Sequence, residues 1–196
     1  VFNVADDGSS ASDLIMNSII STANGLTKDG AGTMQLNAAN TYNGTTTINA
    51  GSLLYNINNA IATGAVTVNG GILDIATFSD AVGAVTLTNG SIDGTTGVLT
   101  GTSYAMQNGS VSAILAGAVN LTKTTTGTVT LSGVNTYTGI TAINAGILSV
   151  STIGNGGVAG NMGAATSTAT NFVMGGGTLQ YTGATASTNR NYVFST

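Results

Sequence analysis

Apolar and polar residues alternate along many short segments of the chain. Apolar side chains take turns with Thr or Asp in most of residues 65–68, 72–75, 84–87, 128–131 and 178–181. A period of two places successive side chains on opposite faces of a strand, and the β-branched content of these segments adds to the signal. The pattern predicts an all-β chain built from many short strands.

Turn signals separate the predicted strands. Asn-Gly or Gly-Gly pairs follow most of them, at residues 24–25, 43–44, 69–71, 89–90, 108–109, 155–156 and 175–177. These residue types tolerate positive φ and therefore mark turns. Residues 12–20 offer the one helical alternative, because their apolar side chains cluster on nearly one face. Their short length and their neighbours favour a strand.

The chain repeats itself at an offset of 95 residues. Residues 26–53 align with residues 121–148, with 16 identities over 28 positions. Low complexity alone does not keep Lys, Tyr and Leu in register. We place the two repeat copies at about residues 26–56 and 121–151.

The repeat decides between two architectures. Many short strands with glycine turns fit an antiparallel sandwich or barrel as well as a parallel β-solenoid. Stacked coils require internal similarity, whereas a sandwich does not. We therefore predict a single right-handed parallel β-helix, continuous over residues 1–196. Coils of ~20 to 25 residues would give roughly eight or nine coils. Residues 95 apart are expected at the same place in successive layers.

Stacking sorts side chains into ladders. Thr and Asn are expected to form outward ladders, in which each side chain can donate and accept hydrogen bonds. The predicted inward residues are apolar: Leu26, Leu36, Ile48, Leu53, Val66, Val68, Leu73, Ile75, Val85, Leu87, Leu121, Leu131, Ile143, Leu148 and Leu179.

Composition narrows the classes of function. Charged residues make up 5% of the chain, against roughly 25% in an average soluble domain. The net charge of −4 leaves no basic patch for a phosphate backbone, so we predict no nucleic-acid binding. Cys and His are absent, which removes disulfides, thiol nucleophiles and the commonest general base.

Two observations bear on export and on membranes. No apolar run approaches the roughly 20 residues that span a bilayer, so we predict no membrane insertion by this segment. The chain opens on Val1 without a signal-like leader, and we expect it to be a processed product or an excised segment.

An ordered set of motifs marks both copies. Residues 28–53 and 123–148 each read Lys, a Gly-Thr strand ending in Leu, then Asn-Thr-Tyr-x-Gly-x-Thr and Asn-Ala-Gly-x-Leu. This pattern resembles the autotransporter-associated β-strand repeat. Residues 2–6, 13–14 and 176–190 are similar to segments that flank the core of such repeats, while residues 57–120 match more loosely. Asn189 stands where that family often carries Asp, which leaves Arg190 without an adjacent carboxylate.

The resemblance implies a passenger-type parallel β-helix on a large bacterial surface protein. We therefore expect a non-enzymatic extracellular rod or fibre segment at the bacterial cell surface. Its expected partners are further repeats of the same chain or other copies stacked end to end. The alternative is an adhesin or a glycan-binding passenger module, with surface glycans as partners, and an enzyme ranks third.

The positions shared by the two copies are predicted to have structural roles. They are Lys28, Tyr42, Gly44, Gly51, Lys123, Tyr137, Gly139 and Gly146. The lysine stems are expected to cover apolar surface while each ammonium group meets a turn carbonyl. The tyrosines are expected to cover a corner of the solenoid, with carbohydrate stacking as the alternative.

No catalytic, metal or cofactor site is predicted. The seven aspartates form no evident pair on one strand, and neighbouring Asp6 and Asp7 would point to opposite faces. The sequence 6–8 favours a turn over a weak Ca²⁺ site. Thr-x-Thr arrays can bind ice on a flat solenoid face, but here their spacing varies. Four glycosylation sequons, at Asn43, Asn89, Asn108 and Asn120, are attributed to composition.

Overall fold

A computed structural model, which describes residues 1–195, shows a parallel β-solenoid of about nine turns. Every pairing between strands in this part of the chain is parallel. Parallel neighbours need a crossover between them, and here each crossover is the remainder of one coil. The predicted fold class is confirmed.

Twenty short strands build the coils. The strands are β1 (Phe2–Asn3), β2 (Leu14–Met16), β3 (Leu26–Asp29), β4 (Thr33–Leu36), β5 (Thr46–Ile48), β6 (Ser52–Tyr55), β7 (Val66–Asp74), β8 (Asp80–Ala81), β9 (Ala84–Asp93), β10 (Val98–Thr100), β11 (Ser103–Met106), β12 (Gly109–Val111), β13 (Ile114–Ala116), β14 (Leu121–Lys123), β15 (Thr128–Leu131), β16 (Thr141–Ile143), β17 (Ile147–Val150), β18 (Phe172–Met174), β19 (Thr178–Tyr181) and β20 (Val193–Phe194). One 3₁₀ turn, Ala169–Asn171, precedes β18. The segment with the helical alternative, residues 12–20, contains strand β2.

Each coil has two regular sides and a short third side. Strands β3, β5, β14 and β16 belong to the first side, and β4, β6, β15 and β17 to the second. The long strands β7 and β9 run along both sides without a break. The third side forms a small sheet of β8, β10 and β13.

The coils are shorter than the sequence predicted. On the first side, Leu26, Thr46, Val66, Val85, Tyr104, Leu121 and Thr141 stack in one column, so a coil takes 17 to 20 residues. Strands of three or four residues and tight turns leave the third side only a few residues. One coil is longer, because residues 151–171 make an excursion before β18 stacks on β16.

The two repeat copies are five coils apart, and not in successive layers as predicted. Leu26 and Leu121 share a column on the first side. On the second side the column of Met34 continues through five further rungs to Leu131, although the alignment pairs Met34 with Val129. This slip of two residues keeps the same side chains inside, because strand faces alternate with period two.

The core is a set of apolar ladders inside the coil. Of the predicted inward residues, all are buried except Leu179, which is partly buried. Strand β19 stacks on β17 and has no strand on its other side within residues 1–195. Leu179 therefore lacks one of the two layers that cover the other inward residues.

Polar side chains stack outside the coil at the turn between its two long sides. Asp29, Asn49, Asn69, Asn89 and Asn108 follow one another up the solenoid. The Nδ2 group of Asn49 donates to Asp29 Oδ1 (2.7 Å), and that of Asn108 donates to Asn89 Oδ1 (2.9 Å). An amide that donates upward or downward while accepting on its other side can extend such a ladder indefinitely.

Candidate functional site

Lys28 and Lys123 occupy inward positions of β3 and β14 and are both buried. The Nζ group of Lys28 donates to the carbonyl oxygens of Asp29 (2.9 Å), Gly30 (2.9 Å) and Ala50 (3.2 Å). Lys123 Nζ contacts the carbonyl and the hydroxyl of Thr125. Desolvation lowers the pKa of both lysines. Each stem lies within the core, and each ammonium group closes the turn between the two long sides.

Tyr42 and Tyr137 lie in matching environments at the third side. Both rings are buried, and each hydroxyl pairs with the Oγ1 of a threonine four residues later: Thr46 at 2.5 Å and Thr141 at 2.8 Å. Burial raises the pKa of each tyrosine to about 12. Neither ring has a free face, so neither can serve as a platform on which a sugar stacks.

The four repeated glycines lie where neighbouring coils approach most closely. A Cβ atom on Gly51 would lie 2.3 Å from the carbonyl oxygen of Gly32, and one on Gly146 would lie 2.3 Å from that of Thr125. Both residues also have positive φ, of 60° and 65°. Gly44 and Gly139 are similarly close to the backbone of the coil before them. Sterics require glycine at all four positions, and backbone conformation adds to that requirement at Gly51 and Gly146.

Asp6, Asp7 and Asp13 come together near the first coil, with carboxylate oxygens within 4.8 Å of one another. The sequence suggested a possible weak Ca²⁺ site at Asp6 and Asp7, but it did not indicate that Asp13 lies beside them. Each carboxylate already accepts a backbone N–H: Asp6 from Gly8, Asp7 from Ser9, and Asp13 from both Asp7 and Thr33. The hydrogen bonds from Ser9 lower the pKa of Asp7. These contacts fit the turn that the sequence favoured.

Asp74 and Asp93 are cross-strand neighbours in β7 and β9. The acid pairs considered from the sequence were pairs along one strand, so this cross-strand pair was not predicted. Their spacing of 19 residues is one coil, which is the signal that would have revealed the pair. Asp74 accepts a hydrogen bond from the Ala76 N–H (2.8 Å), and Asp93 accepts one from Ser91 Oγ (3.0 Å).

Three buried polar residues take equivalent places on the third side, in coils that are not adjacent, and one of them is an aspartate. Asn40, Asp80 and Asn135 each accept a hydrogen bond from a backbone N–H of the preceding coil, at 2.6, 3.1 and 2.8 Å. The Asn40 amide also donates to the carbonyls of Ala38 and Ala60, and the Asn135 amide donates to that of Asn161. Asp80 takes the asparagine position but has no amide hydrogens to donate.

Asp80 is therefore an unusual group in this chain. It is 4% exposed, and desolvation raises the pKa of its carboxyl to about 6. The Tyr55 hydroxyl is fully buried beside Asp80, and within residues 1–195 it makes no hydrogen bond of good geometry. Burial, followed by the charge of Asp80, raises the pKa of Tyr55 well above its usual value. An unpaired buried hydroxyl and a buried carboxylate both cost stability.

A cavity of about 350 Å³ opens beside Asp80 on the third side. Its polar lining comes from Asn40, Thr41, Asn43, Asn59, Thr63 and Asp80, and Ile61 and Ala62 contribute apolar surface. Asn59 has a φ of 53°, a conformation that asparagine tolerates better than most residues. Asp80 was not predicted from the sequence to be a site residue. Its distance of 40 residues from Asn40, two coils, is the only available clue.

Comparison with known proteins adds the family of the two copies. A family model described as Passenger-associated-transport-repeat matches residues 26–54 and 121–150. Both repeat copies are similar to this repeat, and the two matches together cover less than half of the chain. This confirms the resemblance to an autotransporter repeat that the ordered motifs indicated.

One relative is similar to part of the chain. It is the adhesin BmaC autotransporter of Brucella suis biovar 1 (strain 1330), with 41% identity over 76 residues. The matched segment is 39% of this chain and 2% of that relative. The chain thus corresponds to a very small part of the relative's length.

No solved structure matches the chain. No helix within residues 1–195 is both long and apolar enough to cross a membrane.

Proposed function

We propose that this chain is a non-enzymatic segment of a bacterial surface passenger, a β-solenoid rod that extends outside the cell. The observation that carries this proposal is the presence of two segments similar to the passenger-associated-transport repeat in a parallel coil of about nine turns. The shared polar residues support it, because Lys28, Tyr42, Lys123 and Tyr137 are buried and bonded within the protein. Their contacts suit a stacking role.

We also propose that the rod continues end to end, either through further coils of the same polypeptide or through stacked copies. The first coils expose Val1, Ile15 and Ile19, and the last coil exposes Tyr192 and Phe194. The latter two line an apolar cavity of about 260 Å³ together with Phe172, Met174 and Leu179. Unpaired strand edges and apolar end surfaces favour the addition of another β-layer.

Surface labelling tests the location. We expect an epitope inserted at the exposed residues 185–187 of the parent protein to be labelled by antibody on intact bacteria. The same epitope should be removed by external protease. Labelling that requires cell lysis would contradict a surface role.

Negative-stain microscopy of the purified chain tests its shape. It should show rods about 40 Å long, nine coils at about 4.8 Å each, or multiples of that length.

A second candidate function is a glycan-binding module of an adhesin. The observation that favours it is the polar cavity beside Asp80, which the packing of the solenoid does not require. The relative named an adhesin is consistent with this alternative.

A further inference from the structure

We propose that the cavity at Asp80 binds a pyranose ring of a surface glycan. The inference rests on the proposed surface function, because a glycan partner is available to a protein outside the cell. It adds to that function a specific site, a ligand class and the residue that recognises it.

Asp80 breaks a hydrogen-bonding pattern that the fold satisfies at Asn40 and Asn135. Asn40 and Asn135 use the amide to bond both neighbouring coils. At Asp80, Oδ2 accepts the Ile61 N–H (3.1 Å), and the Tyr55 hydroxyl and the Ala81 N–H lie close enough to oppose the rise in pKa that burial causes, but the carboxylate has no hydrogen to donate to the next coil. Natural chains tolerate such local conflicts chiefly at functional sites. An acceptor-only group facing a cavity is suited to a ligand that donates.

The chemistry of the cavity wall supports the same ligand class. Thr41, Asn43, Asn59 and Thr63 line it, and their side chains make no hydrogen bonds within residues 1–195. Amides and hydroxyls both donate and accept, as sugar hydroxyls do. A carboxylate accepts strong hydrogen bonds from such hydroxyls. The apolar surface of Ile61 and Ala62 suits the C–H face of a ring.

Other ligand classes fit the cavity less well. Among the described residues, one carboxylate lines it, whereas Ca²⁺ takes six to eight oxygen ligands and usually several carboxylates. An anionic ligand would meet the Asp80 charge without a cation nearby. Lys28, Lys123 and Arg190 are the chain's three cations, and each is bonded to backbone carbonyls elsewhere.

In the second repeat copy the equivalent surface is covered by the chain itself. There the excursion after β17 folds over the equivalent surface, where Gly160 donates to the Asn135 carbonyl (3.1 Å) and Ala164 to that of Tyr137 (2.8 Å). Met162 is buried against the core. The cavity thus combines Asn40, Thr41 and Tyr42, which the two copies share, with residues 59–63 and 80–81, which lie outside the first copy.

Saturation-transfer NMR on the purified chain tests the site, with glucose, galactose, mannose and glucosamine as probes. We expect transfer to the ring protons of at least one neutral hexose. Asp80→Asn should weaken that binding by at least about tenfold, because it removes a charged acceptor. Asp29→Asn is the matched control: it makes the same charge change at the start of the outer asparagine ladder, and should bind as the wild type does.

Three results would overturn the proposal. They are no transfer to any hexose, unchanged binding by Asp80→Asn, and binding of glucosamine alone, which would indicate an ammonium site. A folded Asp80→Asn variant is expected, because asparagine already occupies the equivalent positions. This test is independent of the surface labelling. Sugar binding without surface display would contradict only the proposed function. Surface display without sugar binding would contradict only this site.

Discussion

At the scale of single residues, the buried polar groups show how one atom changes the local energetics. Asn40 and Asp80 take equivalent places in the coil and accept equivalent backbone hydrogen bonds. The asparagine amide also satisfies a carbonyl of the next coil, while the carboxylate introduces a charge where water is scarce. Burial disfavours the charged form of the carboxyl more than the Ile61 N–H stabilises it, which raises the pKa of Asp80 to about 6.

The raised pKa makes the stability of the protein depend on pH. The folded state holds the Asp80 proton up to about pH 6, whereas the unfolded chain releases it near 3.8. The folded state therefore loses stability as pH rises from about 4 to 6. We expect Asp80→Asn to raise the free energy of unfolding by about 1–3 kcal/mol at pH 7 and to have little effect at pH 4. Urea denaturation at both pH values measures this, and equal destabilisation at both would contradict it.

The buried lysines lead to a second prediction. Lys28→Met keeps most of the side-chain volume but leaves three turn carbonyls without the ammonium group. We expect it to lower the free energy of unfolding by about 1–3 kcal/mol, with a similar result for Lys123→Met. Urea denaturation measures both variants. Unchanged stability in both would show that the ammonium contacts contribute little.

At the scale of elements, stacking distance and backbone conformation constrain the turns. Gly51 has a φ of 60° and lies against the carbonyls of residues 30–32. Gly8 has a φ of 69° and nothing within 4 Å of where its Cβ would lie. The two glycines therefore separate the cost of positive φ from the cost of a clash between coils.

We expect Gly51→Ala to destabilise the protein by about 1–3 kcal/mol more than Gly8→Ala, because overpacking adds to the strain of positive φ. Thermal unfolding followed by circular dichroism compares the two variants. Equal losses would indicate that the coils can separate locally without cost.

The excursion between β17 and β18 is held by Arg190. Its guanidinium donates to five backbone carbonyls, including those of Gly154 (2.9 Å) and Gly163 (2.7 Å). The Asn189 side chain contributes as well, because it accepts the Gly156 N–H (2.8 Å).

Removing this guanidinium should loosen the excursion and leave the coils intact. We expect Arg190→Ala to speed hydrogen exchange at the amides of Gly157 and Ala164 by at least about tenfold, with no change in β14 and β16. Mass spectrometry of exchanged peptides resolves these segments. Faster exchange throughout the chain would mean that Arg190 supports the whole solenoid.

At the scale of the whole molecule, the solenoid hides its apolar ladders along its length and exposes apolar side chains at its ends. Phe194 is 75% exposed and stacks edge to face on Tyr192. Repeat architectures use each layer to cover its neighbour, so an uncovered end layer is a surface suited to a further layer.

We expect the purified chain to associate through this end, and Phe194→Asp to prevent it by placing a charge in the apolar contact. Thr102→Asp adds the same charge at an exposed position midway along the rod and should have no effect. Sedimentation velocity at increasing concentration measures both. A wild-type chain that stays monomeric at high concentration would contradict stacking of copies, and would leave continuation within one polypeptide as the proposal.

Much of the fold was predictable because each layer of a solenoid has a similar pattern of apolar, polar and turn residues. Alternation marked strands such as β15, the Asn-Gly pairs marked the turns, and the offset of 95 indicated stacking. The coil length was predicted too long, because two copies five coils apart do not reveal the period between them. The Asp74 and Asp93 pair was missed for the same reason.

The sequence by itself determined the class of fold, the inward and outward faces of the strands and the family of the two repeats, since these depend on local periodicity and on ordered motifs. The tertiary structure alone decided which residues meet across layers. The two-residue slip on the second side, the burial of Lys28 and Tyr42, and the presence of Asp80 at a position that asparagine takes in other coils all depend on register between coils. Register is a long-range property, because residues about 20 positions apart become neighbours only when the coil closes.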